Sequence, residues 1–258
     1  MAVTHGDFVW YELMTTDVKG AAAFYAAVLG WEAADSGMPG PAYMLFSNKG
    51  ALVAGLMDIP PDAAARNTPP NWSGFVAADD VDASAAEVTR LGGKIYRAPD
   101  DIPGIGRFAI AADPDGAVFG LFKGQGEAPE MPGLGTPGHI AWRELHAGDA
   151  AGALAFYSKL FGWEKREGLD MGPMGVYQLY SKKGADYGGM MTRTEDMCGP
   201  MWVYYVQVED IDETARRVAA NGGTITLEPM EVPGEMWVIQ ARDPQGALTA
   251  MVGPRPRS

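Results

Sequence analysis

One stretch occurs twice in the chain and constrains the fold more than any other feature. Val9-Trp10-Tyr11-Glu12-Leu13 is followed by Asp17, Phe24-Tyr25 and Gly30-Trp31-Glu32; Ala141-Trp142-Arg143-Glu144-Leu145 is followed at the same offsets by Asp149, Phe156-Tyr157 and Gly162-Trp163-Glu164. Trp10 and Trp142 lie 132 positions apart, and the spacing holds through every motif of the stretch. An internal repeat of this length means that one supersecondary plan is built twice.

The local chemistry of the repeat is legible. Val-Trp-Tyr-Glu-Leu is aromatic and β-branched and suits a strand. Asp17 is placed to cap a helix, Ala21 to Leu29 favours helix, and Phe24, Tyr25, Val28 and Leu29 fall on one face. These faces, with Phe156 and Tyr157 in the second half, are expected to pack on the backs of the sheets. Gly30 ends the helix because it can take a left-handed conformation, and Trp31 opens a new extended run.

Further along, Ala42 to Ser47 and Ala51 to Met57 read as strands joined by Asn48-Lys49-Gly50. Residues 58–72 hold Pro60-Pro61 and Pro69-Pro70 and read as a connector without helix. A strand from Ser73 to Ala78, a helix capped by Asp82, and strands from Lys94, Gly106 and Val118 complete a second unit. Asp113-Pro114-Asp115-Gly116 marks the last tight turn. The second half repeats this with Asp210-Ile211-Asp212, Gly222-Gly223 and Asp243-Pro244-Gln245-Gly246. The expected organisation is a first domain over 1–123, a Gly/Pro-rich linker over 124–138 and a second domain over 139–258.

With 20 basic and 33 acidic residues the net charge is −13, and neither half carries a basic stripe. This argues against nucleic acid and anionic membrane surfaces as partners. Cys198 is the only cysteine, so no intrachain disulfide forms. With no signal-peptide pattern at the N-terminus and no apolar run of roughly 18–20 residues, the expectation is a cytoplasmic protein, monomer or homodimer.

Six motifs in order, repeated twice, resemble the glyoxalase/bleomycin-resistance/extradiol-dioxygenase superfamily, the vicinal oxygen chelate proteins. The resemblance implies an α+β fold of tandem domains, with four βαβββ modules whose sheets curl into cups around a small molecule. It also implies a divalent metal held by His, Gln or Glu from first and closing strands. The corresponding positions here are Trp10, Trp142, Ser73, Val203, Gly120 and Ala250, and none is such a donor. No cofactor is therefore expected; a divalent metal enters only through shifted ligands, Glu144 and His146 being the pair that strand alternation offers.

Strand alternation also puts Trp10 with Glu12, and Trp142 with Glu144, on one side, taken as the cup side. Each glutamate reads either as a general base or ligand anchor, or as a structural carboxylate repeated with the fold. Tyr43 and Tyr177 are matched aromatics; Arg107, matched in the repeat by Trp237, reads either as a basic group at a cup mouth that holds an anionic ligand or as a surface ion pair, and together with Trp10, Glu12, Trp142 and Glu144 these residues form the expected ligand-binding set. Methionines crowd the second half and suit adaptable apolar pockets or core filling. The functional expectation is a bleomycin-resistance-like binder of a small apolar or aromatic molecule. The alternative is a glyoxalase-class lyase or isomerase using a shifted metal or Glu12/Glu144 as base.

Overall fold

The computed structural model describes residues 3–38, 40–126, 132–133, 135–194 and 199–256; Cys198 lies outside them. The first half runs β1 (Phe8–Thr15), α1 (Val18–Leu29), β2 (Glu32–Asp35), β3 (Tyr43–Asn48), β4 (Ala51–Asp58), α2 (Pro61–Ala64), β5 (Asn71–Ala77), α3 (Val81–Arg90), β6 (Lys94–Ile102), β7 (Gly106–Ala112) and β8 (Val118–Gly124). The second runs β9 (Ile140–Ala147), α4 (Ala150–Phe161), β10 (Glu164–Asp170), β11 (Val176–Lys182), β12 (Ala185–Thr192), β13 (Met201–Gln207), α5 (Ile211–Ala220), β14 (Thr224–Val232), β15 (Met236–Arg242) and β16 (Leu248–Gly253). Two eight-stranded mixed sheets result, ordered β2-β3-β4-β1-β5-β8-β7-β6 and β10-β11-β12-β9-β13-β16-β15-β14. The fold is α+β with four βαβββ modules. In each module the first strand pairs parallel with the last, as β1 with β4 and β5 with β8, while the hairpins are antiparallel.

Local chemistry sets the element ends. The Asp17 carboxylate accepts from the Gly20 amide at 3.0 Å, and Gly30 closes α1 at φ 71°. Asp149 and Gly162, at φ 70°, do the same for α4. Two expectations need correction. The cap of α3 is Asp80, which accepts from the Ala83 amide; Asp82 sits inside the first turn. The proline-rich connector does hold a short helix, because Pro61 occupies a first-turn position whose N–H has no intrahelical partner to lose. No helix among the described residues is long and apolar enough to cross a membrane.

The chain gathers into two compact units, one of residues 1–9, 74–131 and 143–203, the other of 10–73, 132–142 and 204–258. In the second of these, Tyr25 on α1 is fully buried, its ring meeting Trp31, Phe46 and Trp72 with centroids 5.4–5.7 Å away. Phe24 turns instead toward Gly223, where a Cβ would stand 2.9 Å from its Cε2. Trp31 donates its indole N–H to the Gly138 carbonyl at 2.9 Å. The other unit repeats the plan with Tyr157, Trp163, Tyr180 and Trp202, and Trp163 donates to the Gly6 carbonyl at 2.9 Å.

Both units contain the same buried polar chain. Trp72 Nε1–H donates to the Tyr25 hydroxyl at 2.9 Å, and Tyr25 donates to Asp243 Oδ2 at 3.2 Å. Trp202 donates to Tyr157 at 3.1 Å, and Tyr157 to Asp113 Oδ2 at 3.3 Å. The other oxygen of each aspartate closes its own turn: Asp243 Oδ1 accepts from Gln245 and Ala247 amides, and Asp113 Oδ1 from Asp115, Gly116 and Ala117 amides. Burial pushes both carboxyls above the usual range despite these donors, and burial with the Asp243 charge pushes the Tyr25 phenol well up. The repeated Phe-Tyr and Asp-Pro-x-Gly motifs are thus two ends of one interaction.

Candidate functional site

The first site grows from β1. Tyr11 and Leu13 are buried, whereas Trp10, Glu12 and Met14 alternate onto the opposite face and are half-buried. Glu12 stands beside Gly55 on β4, and Gly55 stands beside Leu45 on β3. Tyr43 lies two residues from Leu45, on the same face, so its ring reaches back over Gly55 toward Glu12. Its hydroxyl accepts from Trp10 Nε1–H at 2.8 Å and donates to Glu12 Oε2 at 2.8 Å. A Cβ at Gly55 would overlap the Tyr43 phenol. Burial raises the Glu12 carboxyl above its ordinary value, with the Tyr43 hydrogen bond opposing. Burial and the Glu12 charge raise the Tyr43 phenol strongly.

The second site repeats this on β9. Glu144 stands beside Gly189, and Tyr177 donates to Glu144 Oε2 at 2.8 Å. A Cβ at Gly189 would overlap the Tyr177 ring. One element is new: His146 Nε2 lies 2.7 Å from Glu144 Oε1, with the two side chains only 8% and 12% exposed. Met14 holds the matching position in the first half. Trp142 is half-buried on the same strand face.

The remaining expected residues stand elsewhere. Arg107 on β7 makes a bidentate pair with Asp82 at 2.7 and 2.9 Å and a third bond to Asp101 at 3.0 Å. Trp237 on β15 lies under the Arg255 guanidinium, 4.5 Å from the ring centroid, and Arg255 pairs with Asp212 at 2.7 Å. Each half therefore bonds an arginine to the aspartate in the first turn of a helix, Asp82 in α3 and Asp212 in α5, from a different position in the sequence. Gly55 and Gly189 are functional positions that local sequence does not mark; their signal is a glycine opposite each repeated glutamate.

At the positions where the resemblance implies metal ligands, the side chains do not fit a metal. Trp10 and Trp142 are indoles, and Val203 and Ala250 are buried apolar residues. Ser73 donates to Asn71, and Gly120 lies under the Phe75 ring. Glu144 and His146 are two donors. Among the described residues no group of three or more His, Cys, Asp or Glu is placed to hold an ion, whereas such sites use three or four converging protein ligands.

The family model for the Glyoxalase/Bleomycin resistance protein/Dioxygenase superfamily matches residues 7–121 and again 136–251. The chain is 31% identical over 250 residues to the "Putative glyoxylase CFP32" of Mycobacterium tuberculosis, covering 96% of this chain and 95% of that one. It is 33% identical to the "Anthracycline biosynthesis protein DnrV" of Streptomyces peucetius, covering 87% and 85%. Among solved structures, the Mn(II)-bound glyoxalase from Novosphingobium aromaticivorans matches with a TM-score of 0.66 at 20% identity, over 98% of this chain and 83% of that one; this likeness is one of fold.

Proposed function

Because the chain belongs to the glyoxalase/bleomycin resistance protein/dioxygenase superfamily, we propose that it binds a small, largely apolar or aromatic molecule on the Trp–Tyr–Glu face of each half. The observation that carries this is the twice-built arrangement of a tyrosine lying over a glycine and bonded to a strand glutamate, with the Trp10 indole bonded to the tyrosine in the first copy. Such a surface offers flat π-faces around one polar group, the composition of small-molecule sites. Trp10, Glu12 and Tyr43 form the first site and Trp142, Glu144 and Tyr177 the second. Arg107 and Trp237 are outer candidates, because their partners engage them away from these clusters. The relative named for anthracycline biosynthesis supports the aromatic class, since anthracyclines are fused-ring aromatics. The duplicated unit is proposed as 1–123 and 139–258 about the connector 124–138, and the compartment as cytoplasmic.

The test is titration with a planar aromatic probe, 2-ethylnaphthalene, followed by tryptophan fluorescence and calorimetry. The expected result is saturable binding weakened about 10-fold or more by Trp10→Ala and by Trp142→Ala at their respective sites. Absence of saturable binding overturns the reading.

A second reading has one observation in its favour. Burial raises the Glu12 carboxyl above its ordinary value, the direction that makes its carboxylate a stronger base. A glyoxalase-class lyase would use that carboxylate to take the proton α to the carbonyl of a thiol–oxoaldehyde adduct. Turnover of the glutathione adduct of an α-oxo-aldehyde, lost in Glu12→Gln, would establish it; no turnover in the native protein removes it.

A further inference from the structure

The second copy of the site carries a group that the first lacks. His146 follows Glu144 by two positions on β9, so both side chains stand on one face of the strand. Met14 holds the equivalent place on β1. Both oxygens of Glu144 are engaged: the Tyr177 hydroxyl gives its hydrogen to Oε2 at 2.8 Å, and His146 Nε2 stands 2.7 Å from Oε1. An imidazole is a stronger base than a carboxylate, so the hydrogen of the second contact sits on Nε2. That bond fixes the ring: neutral or charged, His146 keeps its Nε2 hydrogen, and Nδ1 is the atom at which a proton is gained or lost. Nδ1 has no hydrogen-bond partner among the described residues and is not sealed from solvent. On β12 the register neighbour of His146 is Met191, an apolar side chain that cannot titrate.

Resting on the small-molecule reading above, we infer that Glu144 and His146 form a proton-accepting dyad, and that the second copy takes an aromatic ligand with an acidic hydroxyl, a phenol or a naphthol, and holds it as the anion. The O–H bond of the ligand breaks, its proton forms the Nδ1–H bond, and the electron pair stays on the phenolate oxygen. No oxidant, reductant or further reactant takes part. The imidazolium then lies between two anions, phenolate at Nδ1 and Glu144 at Nε2, and each contact becomes a charge-assisted hydrogen bond. Tyr177 contributes by holding the far oxygen of Glu144, which keeps the carboxylate turned toward the ring. The first copy has the same glutamate and tyrosine, but Met14 supplies no imidazole, so one phenolate equivalent is expected per chain.

The experiment uses the full chain and 3-nitrophenol, whose absorbance distinguishes phenol from phenolate, at a pH about one unit below the midpoint of the free probe, where about a tenth of it is ionised. The methyl ether 3-nitroanisole, which has no proton to give, is the control. The native protein is expected to hold one equivalent as phenolate, with an ionisation ratio raised about 10-fold or more over the free probe. The chain has three histidines, so labelling them with 15N resolves each ring. One imidazole should carry its hydrogen on Nε2 alone in the free protein and gain a second at Nδ1 with 3-nitrophenol but not with 3-nitroanisole. His146→Met should remove that signal together with the bound phenolate, and Glu144→Gln should lower the ionisation ratio about 10-fold. The 15N measurement on the native protein carries the test if a variant does not fold. Bound 3-nitrophenol no more ionised than the free probe, a free His146 protonated at Nδ1 alone, phenolate retained in His146→Met, or a phenolate signal that a chelator removes overturns the proposal, while saturable binding of 2-ethylnaphthalene keeps the binding reading. Binding of none of the three probes overturns both.

Discussion

The phenol of Tyr25 donates to the carboxylate of Asp243, 3.2 Å away in space and 218 positions away in sequence. The same bond recurs between Tyr157 and Asp113. Because the tyrosine also receives the indole N–H of Trp72, removing one hydroxyl orphans a half-buried donor and a buried acceptor together. Tyr25→Phe should therefore cost about 1–3 kcal/mol although the ring that fills the space is unchanged. Urea unfolding of the native and variant proteins measures it; a difference near zero would show that water replaces the hydroxyl.

Gly55 should resist even the smallest enlargement. Its Cα hydrogen faces the Tyr43 phenol, and a methyl there must displace a ring held by bonds to both Trp10 and Glu12. Gly55→Ala is expected to destabilise by about 1–3 kcal/mol and to release Tyr43 from Glu12. Gly189→Ala should act in the same way on Tyr177. Chemical unfolding and the 2-ethylnaphthalene titration together read both effects.

Glu12 makes stability depend on pH in an unusual direction. Its folded carboxyl holds a proton more tightly than the unfolded one, so the native state binds more protons between the ordinary glutamate value and the raised one. Stability contributed by the neutral carboxyl is present below the unfolded value and is lost as pH rises through the folded value. Glu12→Gln, which cannot ionise, should match the native protein at acid pH and become the more stable of the two toward neutrality. Unfolding free energies of both proteins across that range provide the check, and parallel curves would contradict the burial that raises Glu12.

A half-chain should not fold by itself. Residues 1–123 contain Tyr25 and Phe24 but neither Asp243 nor Gly223, against which those side chains stand. The isolated fragment is expected to lack a cooperative unfolding transition, and fragments 1–123 and 139–258 mixed together should recover one. Circular dichroism melts of each fragment and of the mixture separate these outcomes.

Much of this architecture could be read from local chemistry. The caps at Asp17 and Asp149, the left-handed Gly30 and Gly162, and the Asp-Pro-x-Gly turns each answer to residues within a few positions. Strand alternation likewise put Trp10 and Glu12 on one face, because that depends only on parity. What parity could not give was a partner. Asp113 and Asp243 are equally good acceptors for Tyr25 on paper, since duplication makes their surroundings alike; only the folded chain selects Asp243. The role of Gly55 was hidden for a related reason. A glycine in a strand reads as a weak point until the tyrosine that crosses it is known. Two aspartates stand at the start of α3, so Asp82 reads as a cap from local chemistry alone, whereas the cap is Asp80, the one outside the helix. Arg107 pairs with Asp82, one of the two readings its sequence position left open.

The tryptophan that follows each first helix bonds to a carbonyl just ahead of the other half's first strand, Trp31 to Gly138 and Trp163 to Gly6. Mutational drift in such a chain is reciprocal. A substitution in the run before β9 is felt by the indole at 31, and one in the run before β1 by the indole at 163. The repeats are therefore not an original and a spare: loss of either copy, with the run that precedes it, leaves an indole of the other without its acceptor.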